Sequence, residues 1–229
     1  MRPIVVVPAT ATDRVRPLLE SLGWGAASGS PPGGDDQGSA AVAAVRAGEP
    51  ALYVPPEATP AATVRRIVVL HEGSREARAS MDLADDAALA SGAEIVVLYA
   101  PRSRPSTTSA SLPFRIADHG TYDWNEWRDE FLRRFCRCSP GVRVSLRVSA
   151  GSAETLRNQL RDEAAELVIV SGPGDGGDAG EDLPGGAGEV LDEALESGAP
   201  VLIVPATGRD RSAMDDAELG QPRLTRRPR

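Results

Sequence analysis

Few side chains in this sequence are placed to do chemistry. His71 ends the apolar run Ile67 to Leu70, and an imidazole at a strand end is where α/β sheets put an acid, a base or a hydrogen-bonded structural histidine. Nothing near it in sequence forms a dyad, so the structural role is the reading taken. His119 sits in a Pro/Ser/Thr-rich stretch over residues 101–120 and reads as exposed. Cys136 and Cys138 form a Cys-x-Cys pair on a predicted helix. Spacing of i,i+2 sends the thiols to different faces, which disfavours a mutual disulfide, and no further Cys or nearby His completes a metal site. Trp124, Trp127, Phe131 and Phe135 share one face of that helix; the stripe is either a stacking platform or, as read here, core or interface packing. No Ser/His/Asp or paired-carboxylate set stands at recognisable spacing, so the expectation is a protein that is not an enzyme.

The elements that must position these residues repeat. Arg65 to Leu70 is echoed by Arg2 to Val7, and Gly198-Ala199-Pro200-Val201-Leu202-Ile203-Val204-Pro205 is echoed by Gly48-Glu49-Pro50-Ala51-Leu52-Tyr53-Val54-Pro55. The pattern predicts one full α/β unit and a shortened copy of it. In the full unit, strands are expected at Ile67 to His71, Ala93 to Tyr99, Val142 to Val148, Leu167 to Val170 and Val201 to Val204. Helices come between them. One, N-capped by Ser74, carries Ala77, Met81, Ala84 and Ala88. A second opens at the capping box Asp123 to Glu126, a third carries Leu156, Leu160 and Ala164, and the last has Val190, Leu191, Ala194 and Leu195. Strict alternation from Val142 to Val148 places that strand at or near a sheet edge. Five strands alternating with four helices make a doubly wound parallel sheet.

The short copy reads as strand, helix with Val15, Leu18, Leu19 and Leu22, a Gly/Pro/Ser/Asp-rich loop over Gly25 to Gly38, an Ala/Val helix from Ser39 to Ala47, and strand. This βααβ appendage is too small to bury a core alone and should dock on the full unit. The resulting division is a truncated half-repeat at 1–60, the full domain at 61–208 and a flexible tail at 209–229. Aligning the copies matches Ala51, Leu52, Tyr53 and Val54 with the last strand, Val201, Leu202, Ile203 and Val204.

A net charge of −8 over 229 residues argues against general nucleic-acid binding; the absence of lysine is read as compositional bias and carries no functional weight. The one basic cluster, Arg223 to Arg229, is short, Pro-containing and free of aromatics. No apolar run reaches the ~18 residues of a membrane span, and the start lacks a signal-peptide pattern. The compartment expected is the cytoplasm, with protein partners or self-association and no membrane.

Over residues 64–206 the sequence resembles the universal stress protein domain. The resemblance rests on Ile67 to Ser74, Ser91 to Tyr99, Gly151-Ser152-Ala153, Glu166 to Gly172 and Gly198 to Pro205. It implies a five-stranded parallel Rossmann-like, adenine-nucleotide-hydrolase-like sheet and a stress-response or regulatory role. It also implies that members dimerise through their last strands and some carry two domains in tandem. In such a tandem, the short copy would pair with the last strand and replace a partner subunit.

Many members bind ATP through an Asp after the first strand and a Gly-x2-Gly-x9-Gly-Ser/Thr loop after the fourth. The resemblance carries this site onto Glu72, Gly172, Gly174, Gly177 and Gly188. Backbone N–H groups of glycines and a helix N-terminus are what hold phosphates. Here Glu72 stands in the Asp position, Ala187-Gly188 replaces Gly-Ser/Thr, and no Ser or Thr occurs from Pro173 to Glu196. Asp175, Asp178, Glu181, Asp182 and Glu189 crowd the loop without one Arg. Like charges ~4 Å apart repel by roughly 4 kcal/mol at an effective dielectric near 20. Bound Mg²⁺ would turn these carboxylates into ligands. The expectation is a non-enzymatic scaffold with a degenerate nucleotide site. The alternatives are a working ATP sensor and, below it, a nucleotide-hydrolysing enzyme that would use Glu72 or His71.

Overall fold

In a computed structural model of the chain, described over residues 2–27, 37–71, 77–100, 124–149, 153–172 and 187–205, the N-terminal segment and the main unit join one sheet. Its strands are β1 (Arg2–Val7), β2 (Trp24–Ala27), β3 (Ala51–Tyr53), β4 (Arg66–His71), β5 (Glu94–Tyr99), β6 (Val144–Val148), β7 (Leu167–Ser171) and β8 (Val201–Val204). The order is β2-β1-β3-β8-β7-β4-β5-β6. Neighbours run parallel except β3 and β8, which are antiparallel, with Leu52 opposite Leu202. β6 forms one edge, as its alternation predicted, burying Leu146 and exposing Arg147.

Among the described residues, six α-helices cover the two faces. α1 (Thr12–Ser21), α3 (Arg78–Ser91) and α4 (Trp124–Phe135) contribute Leu18, Leu19, Met81, Ala84 and Phe131 to one core. α2 (Gln37–Arg46), α5 (Ala153–Asp162) and α6 (Ala187–Leu195) contribute Ala41, Val45, Leu156, Leu160, Leu191 and Ala194 to the other. The central strands are apolar on both faces and Ile67, Val68 and Val69 are fully buried, which is what a parallel sheet sandwiched between helix layers demands.

Three expectations need correction. The appendage is βαβαβ rather than βααβ, because Trp24–Ala27 pairs parallel to β1. Its Gly-Ala-Ala sequence carries no β-branched residue, and it is Trp24, 2 % exposed in the core, that anchors it. Ala164 does not continue the face of Leu156 and Leu160. The helix ends at Asp162, and Ala164 turns outward with φ 48°. Cys136 and Cys138 follow α4 rather than lying on it. The Ser74 cap, Asp123 of the capping box, His119, the tail and most of the glycine-rich loop lie outside the described residues.

The two Gly-x-Pro turns share a backbone conformation. Gly48 has φ +86° and Gly198 φ +85°, the left-handed region that L side chains rarely adopt. The next-but-one carbonyls act alike too: Pro50 O accepts from Val5 N at 3.0 Å and Pro200 O from Val168 N at 2.9 Å.

Candidate functional site

β4 and β7 are neighbours whose chains continue to opposite sides of the sheet, and the crevice beyond their carboxyl ends is where such folds bind ligands. The side chains there follow from the pleat. Ile67 and Val69 of β4, with Leu167 and Ile169 of β7, belong to the core under α3 and α4. Alternation then puts His71 and Ser171 on that same face, one step past the Leu70–Val170 pair.

His71 is 1 % exposed. Its ring meets Phe131 edge-on and Phe135 at a tilt, each centroid 5.3 Å away. Phe131 also packs edge-on against Tyr99, 5.2 Å off. Burial lowers the imidazole pKa to about 4, so the ring is neutral near pH 7. The same cause raises that of Tyr99. The lower half of the aromatic stripe is thus core; the side chains of Trp124 and Trp127 lie outside the description. On the β7 side, the Ser171 hydroxyl is 2.8 Å from that of Ser80 on α3, a fully buried serine. This pair ties α3 to the strand end from which the glycine-rich loop departs. Nothing in the spacing of Ser80 and Ser171, 91 residues apart, signals their meeting.

Of the residues carried over for a nucleotide, Gly172 and Gly188 are described, whereas Glu72, Gly174 and Gly177 are not. Gly188 is the second residue of α6. Gly172 follows β7 directly, and its N–H donates to Val204 O at 2.7 Å, extending the β7–β8 ladder. A Cβ at this position would lie 2.5 Å from Val45 Cγ1 and 2.9 Å from Ile203 Cγ2. Real Cβ atoms essentially never approach that closely, so α2 and β8 together demand a glycine here whether or not a phosphate is bound. His71 O, at the end of the neighbouring strand, accepts from Ala100 N at 3.0 Å.

Cys136 and Cys138 are free thiols. Burial first, then the neighbouring Cys138, pushes Cys136 up to about 12; burial, then Asp85 and Asp82, pushes Cys138 to about 11. Thiols so far above neutrality carry little thiolate and make poor nucleophiles. Among the described residues no group of three His, Cys, Asp or Glu is placed to hold a metal. No described helix is long and apolar enough to cross a membrane.

Polar contacts that the sequence reading missed tie the strands and helices together away from the crevice, most of them at the amino ends of β4, β5 and β7. The Glu166 carboxylate accepts from the backbone N–H of Arg65 and of Arg66, the latter at 3.1 Å. Arg66 in turn donates to Glu94 at 2.6 Å and to Glu163 O at 2.7 Å. Arg157 joins α5 to α6 through Glu193 at 2.8 Å and Glu196 at 2.6 Å.

Neither a family model nor a curated protein matches this sequence. Solved structures do match. The structure of a universal stress protein from Archaeoglobus fulgidus DSM 4304 aligns with a TM-score of 0.51 at 13% identity, over 75% of this chain and 55% of that one. The present chain therefore spans about half the length of that protein. A universal stress family protein from Burkholderia pseudomallei aligns over 64% of this chain and 100% of its own, with 22% identity and a TM-score of 0.41. A universal stress protein solved in complex with cAMP covers 63% of this chain and 99% of its own, at 20% identity and a TM-score of 0.42. The Archaeoglobus alignment and the strand order together show the universal stress protein fold: a mostly parallel sheet with helices on both faces.

Proposed function

We propose that this chain is a universal-stress-type protein acting in the cytoplasm without catalysis, as a stress-response or regulatory scaffold that works through protein contacts, its nucleotide site having lapsed. The observation that carries the reading is Gly172. It is the first glycine of the loop, its amide is engaged by Val204 O, and the space beside it is filled by Val45 and Ile203. Protein packing accounts for that glycine, and the loop beyond it holds carboxylates and lacks any hydroxyl through Glu196. His71, enclosed by Phe131 and Phe135, has the surroundings of a core residue rather than those of an acid or base meeting a substrate. The free thiols fit a reducing compartment.

In this reading the N-terminal module is a degenerate second copy that occupies a partner subunit's place. Supporting it are the antiparallel β3–β8 pairing centred on Leu52 and Leu202, and the matched turns at Gly48 and Gly198. Once β3 covers β8, that strand offers no edge to another chain.

Calorimetric titration of the purified protein with ATP, with and without Mg²⁺, tests the proposal. No heat of binding in either titration is the expected outcome. Stoichiometric binding without metal overturns it. Binding only with Mg²⁺ overturns it too, and identifies the loop carboxylates as metal ligands.

A further inference from the structure

The β3–β8 pairing contains a local symmetry. Leu52 is the fourth residue after Gly48 and Leu202 the fourth after Gly198, and these two leucines face each other in an antiparallel pair. The strands therefore meet about a local two-fold axis at that pair. The same count relates the helices before them: Val45 of α2 stands three residues before Gly48 and Leu195 of α6 three before Gly198. Likewise, Ala41 matches Leu191. At both places α2 carries the smaller side chain.

The difference falls where space is tightest. Val45 Cγ1 lies 2.5 Å from the Cβ position that Gly172 leaves empty, with Ile203 Cγ2 2.9 Å from it on β8. Core packing at this density accepts no side chain at residue 172 unless α2 or β8 shifts, and a side chain longer than valine on α2 would press toward the same place. A second copy docking its own last strand about the same axis would bring Leu195 to the place of Val45.

We propose that the fit of Val45 against Gly172 makes the β8 edge selective for the chain's own α2–β3 segment and excludes the α6–β8 segment of a second copy. This rests on the reading of the N-terminal module as a stand-in for a partner subunit. It adds the residue pair that decides which occupant is accepted.

The test uses the full-length protein and the variants Val45→Leu, Gly172→Ala, and Gly172→Ala combined with Val45→Ala. Amide exchange is followed over residues 201–204, and oligomeric state is measured by light scattering. Val45→Leu and Gly172→Ala are each expected to speed exchange roughly tenfold or more and to leave the oligomeric state as in wild type, because neither makes room for Leu195 of a second copy. The double variant, which removes the 2.5 Å contact and keeps the 2.9 Å one to Ile203, is expected to bring exchange part of the way back to wild type; general destabilisation would add rather than cancel. Unchanged exchange in Val45→Leu overturns the proposal, as does a raised oligomeric state in Gly172→Ala or a double variant whose exchange is no slower than that of Gly172→Ala alone. If Val45→Leu is insoluble, the rescue by the double variant decides. Tyr53→Pro separates this proposal from the reading beneath it, because a proline in β3 disturbs the pairing itself. If Tyr53→Pro loosens the β8 edge and Val45→Leu does not, the module caps the edge without selecting its occupant. If neither does, both readings fall.

Discussion

At the scale of single residues, the protein keeps a neutral imidazole where its solvation is poorest. His71 titrates at about 4 in the fold because it is buried among Phe131, Phe135 and the strand ends, against about 6.5 for an unfolded histidine. The fold thus binds the proton less well than the unfolded chain, and acid favours unfolding. Stability contributed by the neutral ring is intact above pH ~6.5 and falls as pH drops from there to about 4, by about 3 kcal/mol in all. Chemical denaturation at a series of pH values should show that slope in wild type and lose it in His71→Leu. Carboxylates titrate equally in both proteins at the acid end, so the difference between the two curves isolates the imidazole. Identical curves would mean that the ring is solvated after all.

At the scale of elements, α3 is the organiser of the crevice. It packs under β4 and β7, reaches Ser171 through Ser80, and holds the segment after α4 through Asp85. That carboxylate accepts from Ser139 N at 2.8 Å and from Ser139 Oγ at 2.6 Å. Removing it in Asp85→Ala leaves a half-buried amide and hydroxyl to find other partners. The expected cost is about 2 kcal/mol, the range for hydrogen bonds to a charged acceptor. For a chain of this size that is a fall in Tm of roughly 4 to 8 °C. Faster exchange of the Ser139 amide, with the β4–β5 amides unaffected, would place the effect in this tether. A change spread evenly over the sheet would contradict it.

At the scale of the whole molecule, the eight described strands share one hydrogen-bonded sheet, in which β1 to β3 are joined to the rest through the β3–β8 pairing. Leu52 and Leu202 are both fully buried in the core beneath that ladder. Leu52→Ala should cost 2–5 kcal/mol, the usual range for a leucine truncated in a core. It should lower the melting of the whole chain as a single transition, with calorimetric and van't Hoff enthalpies in agreement. Two resolved transitions, with only the first shifted, would show that the module unfolds on its own.

What the amino-acid sequence determined by itself is the set of elements whose partners are near in the chain or whose pattern is periodic. The apolar runs at Ile67 and Leu167, the alternation from Val144 to Val148 and the Gly-x-Pro turns before Ala51 and Val201 each announce themselves through burial or backbone preference. Together they made the parallel five-stranded unit legible. β2 was not legible, because Trp24-Gly25-Ala26-Ala27 has the composition of a loop and becomes a strand only by lying along β1. The nucleotide site was legible as a count of glycines and carboxylates, but spacing cannot say what a glycine is for. Only the tertiary structure brings Val45, from 127 positions earlier in the chain, against Gly172, and Ser80 against Ser171. Those contacts join segments that local preference never sees, and it is the close packing between the helix layer and the sheet that decides them.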